Sequence, residues 1–340
     1  MAKRLFLIVL DSLGIGGAKD ASDYGDEGSN TLRALQNSSN LYIPNLKSLG
    51  LLNIKGNEGG VSNPLGAYAR LLEKSKGKDT TIGHWEMAGI VSTVPFNTYS
   101  NGFPKEVIDE FERQIGTKIL CNKPYSGTEV IKDYGKQHLE TGYPIVYTSQ
   151  DSVFQIATHD SIISVEKLYS YCEIARKILV GKYSVGRVIA RPFTGEYPYI
   201  RTGYRKDYSV KPPKKTMLND FVNAGLSVIS VGKINDIFSG EGITESYKTK
   251  SNKEGYEKVI ELQNKQFNGL CYVNLVDFDA VYGHRNDVEG YAKELSNFDA
   301  FLGEFLPKMH NHRHSRGSRS TSTPEGHVRR RERNRKQLQR

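Results

Sequence analysis

The sequence predicts an α/β fold, built as a doubly wound, mostly parallel sheet with an inserted α/β cap domain. Arg4–Leu10 is a continuous apolar run that leads directly into Asp11, which is typical of a strand buried on both faces of a parallel sheet. After residue 213, apolar strands alternate with amphipathic helices, which favours the same architecture. Residues 96–213 have a different pattern from both flanks and predict an insertion.

The individual elements follow from hydrophobic periodicity. Strands are predicted at 4–10, 117–121, 145–148, 187–191, 226–231 and 270–276. Helices are predicted at 43–50, 84–90, 103–115, 165–179, 216–224, 256–263 and 288–305. Pro212 and Pro213, followed by two lysines, mark a linker. Sites in such sheets collect at the carboxyl ends of the strands, where Asp11 and Asp277 stand.

Composition divides the chain into a core at 1–95 and 214–306, a cap at 96–213, and a tail at 307–340. The tail holds eleven Lys/Arg against two Asp/Glu, so it accounts for the whole net charge of +9. The body is neutral and has no general reason to bind nucleic acid. Apolar periodicity fails after Phe305, so we expect disorder or a loose helix from there to the end.

Nothing in the sequence predicts a membrane-bound or secreted protein. The apolar run at 4–10 is far shorter than the roughly 20 residues of a membrane span, and no signal-peptide cleavage pattern follows it. Cys121, Cys172 and Cys271 are far apart, odd in number and without metal-ligand spacing. These features favour a reduced, cytoplasmic setting.

The segment 78–86 places two threonine hydroxyls at the start of a predicted helix. Free backbone N–H groups and the positive end of the helix dipole suit a phosphate there. The simpler explanation is that Thr80 or Thr81 is the helix N-cap, the usual role of threonine at such a position. Gly83 and the two rings after it, His84 and Trp85, favour the phosphate site. A nearby metal would make the hydroxyl a nucleophile.

Acidic residues follow two of the predicted strands. Asp11 could be a turn or capping carboxylate, and a lone histidine such as His284 is usually an ordinary surface residue. However, Asp277, Asp279 and His284 come together directly after a very apolar strand. Hard cations such as Mg²⁺ and Mn²⁺ prefer carboxylate oxygens. The pattern therefore predicts a metal-assisted phosphoryl-transfer site.

Five segments, in order from about residue 3 to 306, resemble the prokaryotic phosphopentomutase family of the alkaline phosphatase superfamily. They are Asp11-Ser-x-Gly-x-Gly, Lys78-Asp-Thr-Thr-x-Gly-His-Trp-Glu86, Tyr147-Thr-Ser-x-Asp-Ser152, Gly186-Arg-Val-Ile-Ala-Arg-Pro192 and Asn274-Leu-Val-Asp-Phe-Asp-x-x-Tyr-Gly-His-Arg285. The resemblance implies a core with two metals, typically Mn²⁺, and a phosphorylated threonine as the working form, activated by a sugar bisphosphate. It implies interconversion of ribose or deoxyribose 1-phosphate and 5-phosphate through a bisphosphorylated sugar.

The resemblance also implies residue roles, position by position. Thr80 would be the phosphoacceptor and touch the metals, supported by Thr81. Asp11 would be a ligand of one metal, and Asp279 with His284 of the other. The residues that resemble sugar contacts are Ser149, Asp151 and Val153. Those that resemble contacts with the phosphate end are Arg187, Ile189 and Arg201 from the cap and Lys233 from the core.

The chain departs from the family after residue 306. The family takes further metal ligands from an Asp-His-Gly turn and a Thr-Asp-His segment, and this sequence contains neither. His310, His312 and His314 stand there instead, without a carboxylate or an apolar strand to position them. We therefore expect little or no mutase activity. An interrupted or shifted reading frame is the hypothesis for the tail.

Two other functions stay open at this point. A phosphohydrolase or phosphoglycerate mutase of the same superfamily would use a similar site, although the His-Trp-Glu sequence and the cap pattern favour a pentose. A nucleic-acid-binding protein could act through the basic tail by salt-dependent phosphate contacts. No recognised binding fold or interleaved aromatic residues support specific recognition of that kind.

Overall fold

The structure, a computed structural model, describes residues 3–77, 79–149 and 151–314. Its strands are β1 Arg4–Leu10, β2 Leu120–Pro124, β3 Ile145–Thr148, β4 Val153–His159, β5 Arg187–Thr194, β6 Ile200–Arg201, β7 Lys206–Ser209, β8 Ser227–Val231, β9 Glu245–Tyr247 and β10 Gly269–Leu275. Its α-helices are α1 Thr31–Leu35, α2 Pro44–Leu49, α3 Thr80–Met87, α4 Lys105–Ile115, α5 Glu129–Thr141, α6 Val165–Ile178, α7 Met217–Asn223, α8 Ile234–Ile237, α9 Asn252–Asn264 and α10 Val288–His314.

The first sheet is parallel and takes its strands from both ends of the chain. Within the described residues its order is β1-β10-β8-β9. β1 and β10 pair without a shift, from Arg4 with Gly269 to Leu10 with Leu275. The carboxyl ends of these strands therefore lie at one edge of the sheet, and Asp11 and Asp277 follow two of them there.

Helices cover both faces of this sheet, which confirms the doubly wound prediction. On one face, side chains of α9 and α10 pack against β8 and β10, with Val259, Leu295 and Val273 buried. On the other face, α3, α7 and α8 bury Trp85 and Leu218. A parallel strand covered on both faces can be apolar throughout, as β1 is after Arg4.

All strands of the second sheet lie between residues 120 and 209. Its order is β2-β3-β4-β5-β6, with β7 paired to β5. β4 and β5 are parallel, whereas β3–β4 and β5–β7 are antiparallel, so this sheet is mixed. α4 and α6 cover one face and bury Phe111 and Leu168, while α5 covers the other and buries Val130.

The last helix continues beyond the point at which the apolar periodicity fails. The predicted helix ended at Phe305, with disorder or a loose helix expected beyond it, and α10 runs to His314. The reason is that Leu306 and Met309 pack against the core cluster of the first sheet and prolong the apolar face of the helix. Residues 315–340, with most of the predicted tail, lie outside the described residues.

Several predicted boundaries also move. The strand predicted at 117–121 is found at Leu120–Pro124 instead. Within it, the backbone at Cys121 and Asn122 has positive φ, and the register with β3 shifts there. α9 begins four residues before Tyr256, because Ser251 caps it by accepting from the Glu254 N–H. The sequence pattern does not predict α5 or β4. In the described part of the chain, the helices are too short or too polar to cross a membrane.

Candidate active site

Asp11 lies where β1 ends, at the carboxyl edge of the first sheet. Its Oδ1 accepts a hydrogen bond from Asn274 Nδ2 over 2.7 Å. Burial raises the pKa of Asp11 to about 6, against the Asn274 hydrogen bond and the positive charge of Lys233, which lower it. The negative charge of Asp279 also raises the pKa of Asp11, so the two carboxylates lie close enough to interact electrostatically.

The two threonines of α3 have different surroundings. The helix N-cap is Asp79, whose Oδ1 accepts from the Thr81 N–H over 2.8 Å, so neither threonine performs the capping role. Thr81 is 1% exposed, and its hydroxyl has no hydrogen-bond partner among the described residues. Thr80, the first residue of the helix, is exposed. Of the two hydroxyls, that of Thr80 is the accessible one.

His84 lies one turn along α3 and is held at both ring nitrogens. Nδ1 lies 2.8 Å from the Thr80 carbonyl oxygen, and Nε2 lies 3.3 Å from Asn274 Nδ2. The carbonyl can only accept and the amide nitrogen can only donate, so the ring proton sits on Nδ1. Burial lowers the pKa of His84 to about 4, in keeping with a neutral ring. Since Nδ1 already carries a proton, it cannot remove one from the Thr80 hydroxyl 3.4 Å away.

The loop after β10 brings Asp279 and His284 together. His284 Nε2 lies 3.2 Å from Asp279 Oδ2, and both side chains are accessible. A Cβ at Gly283 would lie 2.8 Å from Ser12 Oγ, which places this loop against the residue that follows Asp11. Asp277 does not join them. Its Oδ2 accepts from the Asn252 N–H over 2.7 Å, so it fixes the start of α9 instead.

Lys233 supplies positive charge to this group. It follows β8 and directly precedes α8, at the same edge of the sheet as Asp11. Its charge lowers the pKa of both Asp11 and His84. The structure therefore brings five sequence-predicted core residues to one edge: Asp11, Thr80, Lys233, Asp279 and His284.

The predicted cap residues form a second group near the start of α3. Arg187 Nη2 lies 3.7 Å from Asp151 Oδ2, and Ser149 Oγ accepts from the Asp151 N–H over 3.3 Å. A Cβ at Gly186 would lie 3.4 Å from Asp79 Oδ2, so this strand approaches the residue before Thr80. Val153 and Ile189 are each 2% exposed. Their side chains are therefore buried.

Further arginines gather around Arg201, and sequence reasoning missed them. Burial and then the charge of Arg205 lower the pKa of Arg191, with a smaller effect of Arg201. Arg205 forms hydrogen bonds of 2.8 Å with both carboxylate oxygens of Asp207. A Cβ at Gly127 would lie 2.5 Å from Arg201 Nη2, so a larger residue there would displace that guanidinium. The spare positive charge suits an anionic ligand.

The side chains gathered at this edge are of the kinds that bind a divalent ion, but too few of them converge to form a complete site. Asp11, Asp279 and His284 supply the oxygen and imidazole donors that Mn²⁺ accepts. In the described ranges, however, no three His, Cys, Asp or Glu side chains converge as a metal site. The side chains of His310, His312 and His314 are outside what the structure describes. The donor set is therefore partial.

Comparison with known proteins gives consistent matches over most of the chain. Residues 3–315 match the model of the metalloenzyme superfamily. A phosphopentomutase of Lachnoclostridium phytofermentans is 61% identical over 311 residues, which cover 90% of this chain and 80% of the relative. One of Caldanaerobacter subterraneus subsp. tengcongensis is 53% identical over 312 residues (91% and 79%). One of Thermotoga maritima is 54% identical over 315 residues (91% and 80%).

Proposed function

We propose that the chain interconverts the 1-phosphate and 5-phosphate of ribose or deoxyribose. The reason is that it belongs to the phosphopentomutase family of the metalloenzyme superfamily. Thr80 would carry the transferred phosphoryl group. That group would pass to the free hydroxyl of the sugar monophosphate to give a bisphosphorylated sugar. The other phosphoryl group would return to Thr80 Oγ, and a sugar bisphosphate would prime the enzyme. The reaction would take place in the cytoplasm, in keeping with three free thiols.

The accessible hydroxyl of Thr80 is the observation that carries this proposal. Asp79 caps α3 and Thr81 is buried, so Thr80 is the threonine that can receive a phosphoryl group. At the first position of the helix, backbone N–H groups and the helix dipole stabilise the added negative charge. His84 holds the Thr80 carbonyl and so fixes this turn, but it does not serve as the base.

Asp11, Asp279 and His284 are the proposed ligands of two divalent ions, which we expect to be Mn²⁺. When bound, such ions neutralise oxygen charge and make a hydroxyl more acidic. The chain's own contribution is to hold Asp11 by Asn274 and to place Lys233 beside it. The family depends on metal, and the partial donor set supports the expectation that turnover by this chain is low. The loss of metal ligands should lower metal affinity or activity by more than the ~10–100-fold that is typical when a group that merely supports a ligand is removed.

Residues 96–213 are proposed as the cap, which would hold the sugar and its distal phosphate. Arg187 and Arg201, with Lys233 from the core, are suited to phosphate by charge and geometry. Ser149 and Asp151 could accept hydrogen bonds from sugar hydroxyls. Because the side chains of Val153 and Ile189 are buried, only their backbone groups could serve the ligand.

Mass spectrometry of the phosphorylated residue tests the proposal. The chain is incubated with a ribose bisphosphate and Mn²⁺, and the site is located by peptide sequencing. We expect phosphate on Thr80, none in Thr80→Val, and normal labelling in Thr81→Val, because the Thr81 hydroxyl is buried. Phosphate on another residue, or no phosphate after prolonged incubation, would contradict the proposed role of Thr80. Turnover close to that of the Lachnoclostridium phytofermentans relative would contradict the expectation of low activity.

A further inference from the structure

α10 places two polar side chains among its buried apolar ones. Tyr291 and Glu294 are three positions apart, so they lie on the same side of the helix. They are 3% and 8% exposed, respectively. Other buried positions of this helix, such as Leu295 and Phe298, are apolar. Packing alone needs neither a hydroxyl nor a carboxylate here, and a buried carboxylate is costly unless it is hydrogen-bonded.

Tyr291 contacts the backbone at Asp11. Its hydroxyl donates to the Asp11 carbonyl oxygen over 2.8 Å, across 280 positions of the sequence. Its ring also packs against Phe278, with 5.2 Å between the ring centroids. Phe278 directly precedes Asp279. One side chain therefore contacts both the first acid of the candidate site and the neighbour of the second.

Glu294 is connected to the same loop through Asn252. Its Oε1 accepts from Asn252 Nδ2 over 2.9 Å and from the Tyr256 hydroxyl over 2.7 Å, and its Oε2 accepts from Asn297 Nδ2 over 3.0 Å. Asn252 Oδ1 in turn accepts from the Asp277 N–H over 3.0 Å. The Asn252 N–H donates to Asp277 Oδ2 over 2.7 Å. Glu294 thus fixes the side chain that holds Asp277 at two points.

The segment after Asp277 carries the second acid on a wide turn. Phe278–Tyr282 is a π-helix of five residues, and Asp279 is its second residue. Single π-turns are rare and are frequently found at functional sites. A single helical turn is stabilised by few hydrogen bonds of its own. The position of Asp279 therefore depends on the contacts made at Asp277 and Phe278.

We infer that Tyr291 and Glu294, here termed the α10 pair, are positioning residues that hold Asp11 and Asp279 at the separation a divalent ion requires. The α10 pair acts through the backbone at Asp11 and Asp277, not by ligation. This inference rests on the proposed role of the two acids as metal ligands. Removal of a group that orients a metal ligand typically lowers metal affinity ~10–100-fold.

The first test removes the Tyr291 hydroxyl and keeps the ring. The affinity of the full chain for Mn²⁺ is measured by electron paramagnetic resonance for Tyr291→Phe and the unmodified protein. We expect the dissociation constant to rise roughly tenfold or more. Tyr169→Phe is the matched control, because the Tyr169 hydroxyl also donates to a backbone carbonyl, that of Tyr204, over 2.9 Å. Tyr169 lies in α6, so this change should leave the affinity for Mn²⁺ unaltered.

The second test compares two replacements of Glu294. Glutamine keeps an acceptor oxygen for Asn252, whereas leucine removes both oxygens. The dissociation constant for Mn²⁺ should therefore rise roughly tenfold or more in Glu294→Leu. It should rise less in Glu294→Gln. Such a rescue by the conservative replacement would separate positioning of the loop from a requirement for negative charge at Glu294.

Hydrogen exchange without metal gives a readout that does not depend on the proposed function. Tyr291→Phe should accelerate exchange in residues 11–14, and Glu294→Leu should accelerate it in residues 277–284, because each change removes a bond that holds the segment. Tyr169→Phe should leave both segments unaltered. Exchange is measured by mass spectrometry on the full chain.

Three results would overturn the inference. They are equal losses of Mn²⁺ affinity in Tyr291→Phe and Tyr169→Phe, unaltered affinity in both Tyr291→Phe and Glu294→Leu, and unaltered exchange in residues 11–14 and 277–284. Failure of the unmodified chain to bind Mn²⁺ would instead count against the proposed metal ligands. The exchange measurement would then decide alone whether the α10 pair holds the two segments.

Discussion

The side-chain amide of Asn274 donates to Asp11 Oδ1 over 2.7 Å, although 263 positions separate the two residues. Parallel pairing of β1 with β10 sets this distance, since Asn274 lies opposite Val9. The same amide reaches His84 Nε2 at 3.3 Å. One neutral side chain therefore connects the acid after the first strand with the ring that holds the Thr80 carbonyl.

Replacing Asn274 should leave Nε2 of His84 without a hydrogen-bond donor. In Asn274→Leu the Thr80 carbonyl still accepts from Nδ1–H, so we expect the proton to stay on Nδ1 and the resonance of the unprotonated Nε2 to move to that of an imidazole nitrogen that accepts no hydrogen bond. Nitrogen NMR of ¹⁵N-histidine-labelled protein measures this. The free energy of unfolding should also fall by about 1–3 kcal/mol, because Asp11 loses a buried hydrogen bond. Asn264→Leu, on the exposed side of α9, is the control. An unchanged His84 spectrum in Asn274→Leu would refute this role.

Alanine at Gly232 should be more costly than alanine at Gly142. Both glycines have a positive φ, 79° and 71°, which costs a residue with a Cβ roughly 1–2 kcal/mol. At Gly232 the new Cβ would also overlap the Asn274 carbonyl oxygen, whereas nothing lies within 4 Å at Gly142. We expect the larger loss of unfolding free energy for Gly232→Ala in chemical denaturation. Equal losses would show that β8 and β10 adjust without cost.

His138 should make the second sheet sensitive to acid. Its Nδ1–H donates to the Tyr143 carbonyl over 2.7 Å, and its Nε2 accepts from the His159 N–H over 2.9 Å. The bond accepted at Nε2 needs a neutral ring, although the donation from Nδ1 does not. Burial, and to a smaller degree the charge of His159, lowers the pKa of His138 against the Tyr143 hydrogen bond. The unfolded chain therefore takes up this proton first as pH falls. The stabilisation is complete above about pH 6.5, the unfolded value, and is lost as pH falls from there toward the folded pKa.

Denaturation curves between neutral pH and about pH 5 measure this effect. The unmodified chain should lose up to about 1.4 kcal/mol more per pH unit than His138→Gln, because only the former can take up the proton on unfolding. Glutamine keeps one donor and one acceptor, so it is a conservative replacement. Parallel pH profiles for the two proteins would rule out His138 as the origin of the sensitivity.

The Asp279–His284 pair should dominate any binding of Mn²⁺. Calorimetry or electron paramagnetic resonance should detect weak binding to the chain, and His284→Ala should weaken it about tenfold or more. Asp109→Asn, which removes an exposed carboxylate paired with Lys105 on α4, is the control. Binding that responds equally to both changes would mean that the ion does not lie at the predicted site.

Features that depend on a local sequence pattern could be predicted from the sequence. The apolar run of β1 placed Asp11 at the edge of the sheet, and the strand at 145–148 was predicted at its observed limits. Asn274 was missed because its role depends on two strands that pair across most of the chain. A usable signal existed, since it is a polar residue in an otherwise apolar, fully buried strand. Arg205 was missed because it lies in the exposed segment just before β7, which has no apolar periodicity.

The order of strands in the first sheet also has a consequence for biosynthesis. A ribosome releases Arg4–Leu10 long before it makes Gly269–Leu275, and at typical elongation rates the interval is on the order of tens of seconds. The second sheet, contiguous in the gene, can form during that interval. The first strand cannot pair in that time, so its apolar side chains remain without their partner strand until translation reaches Gly269–Leu275.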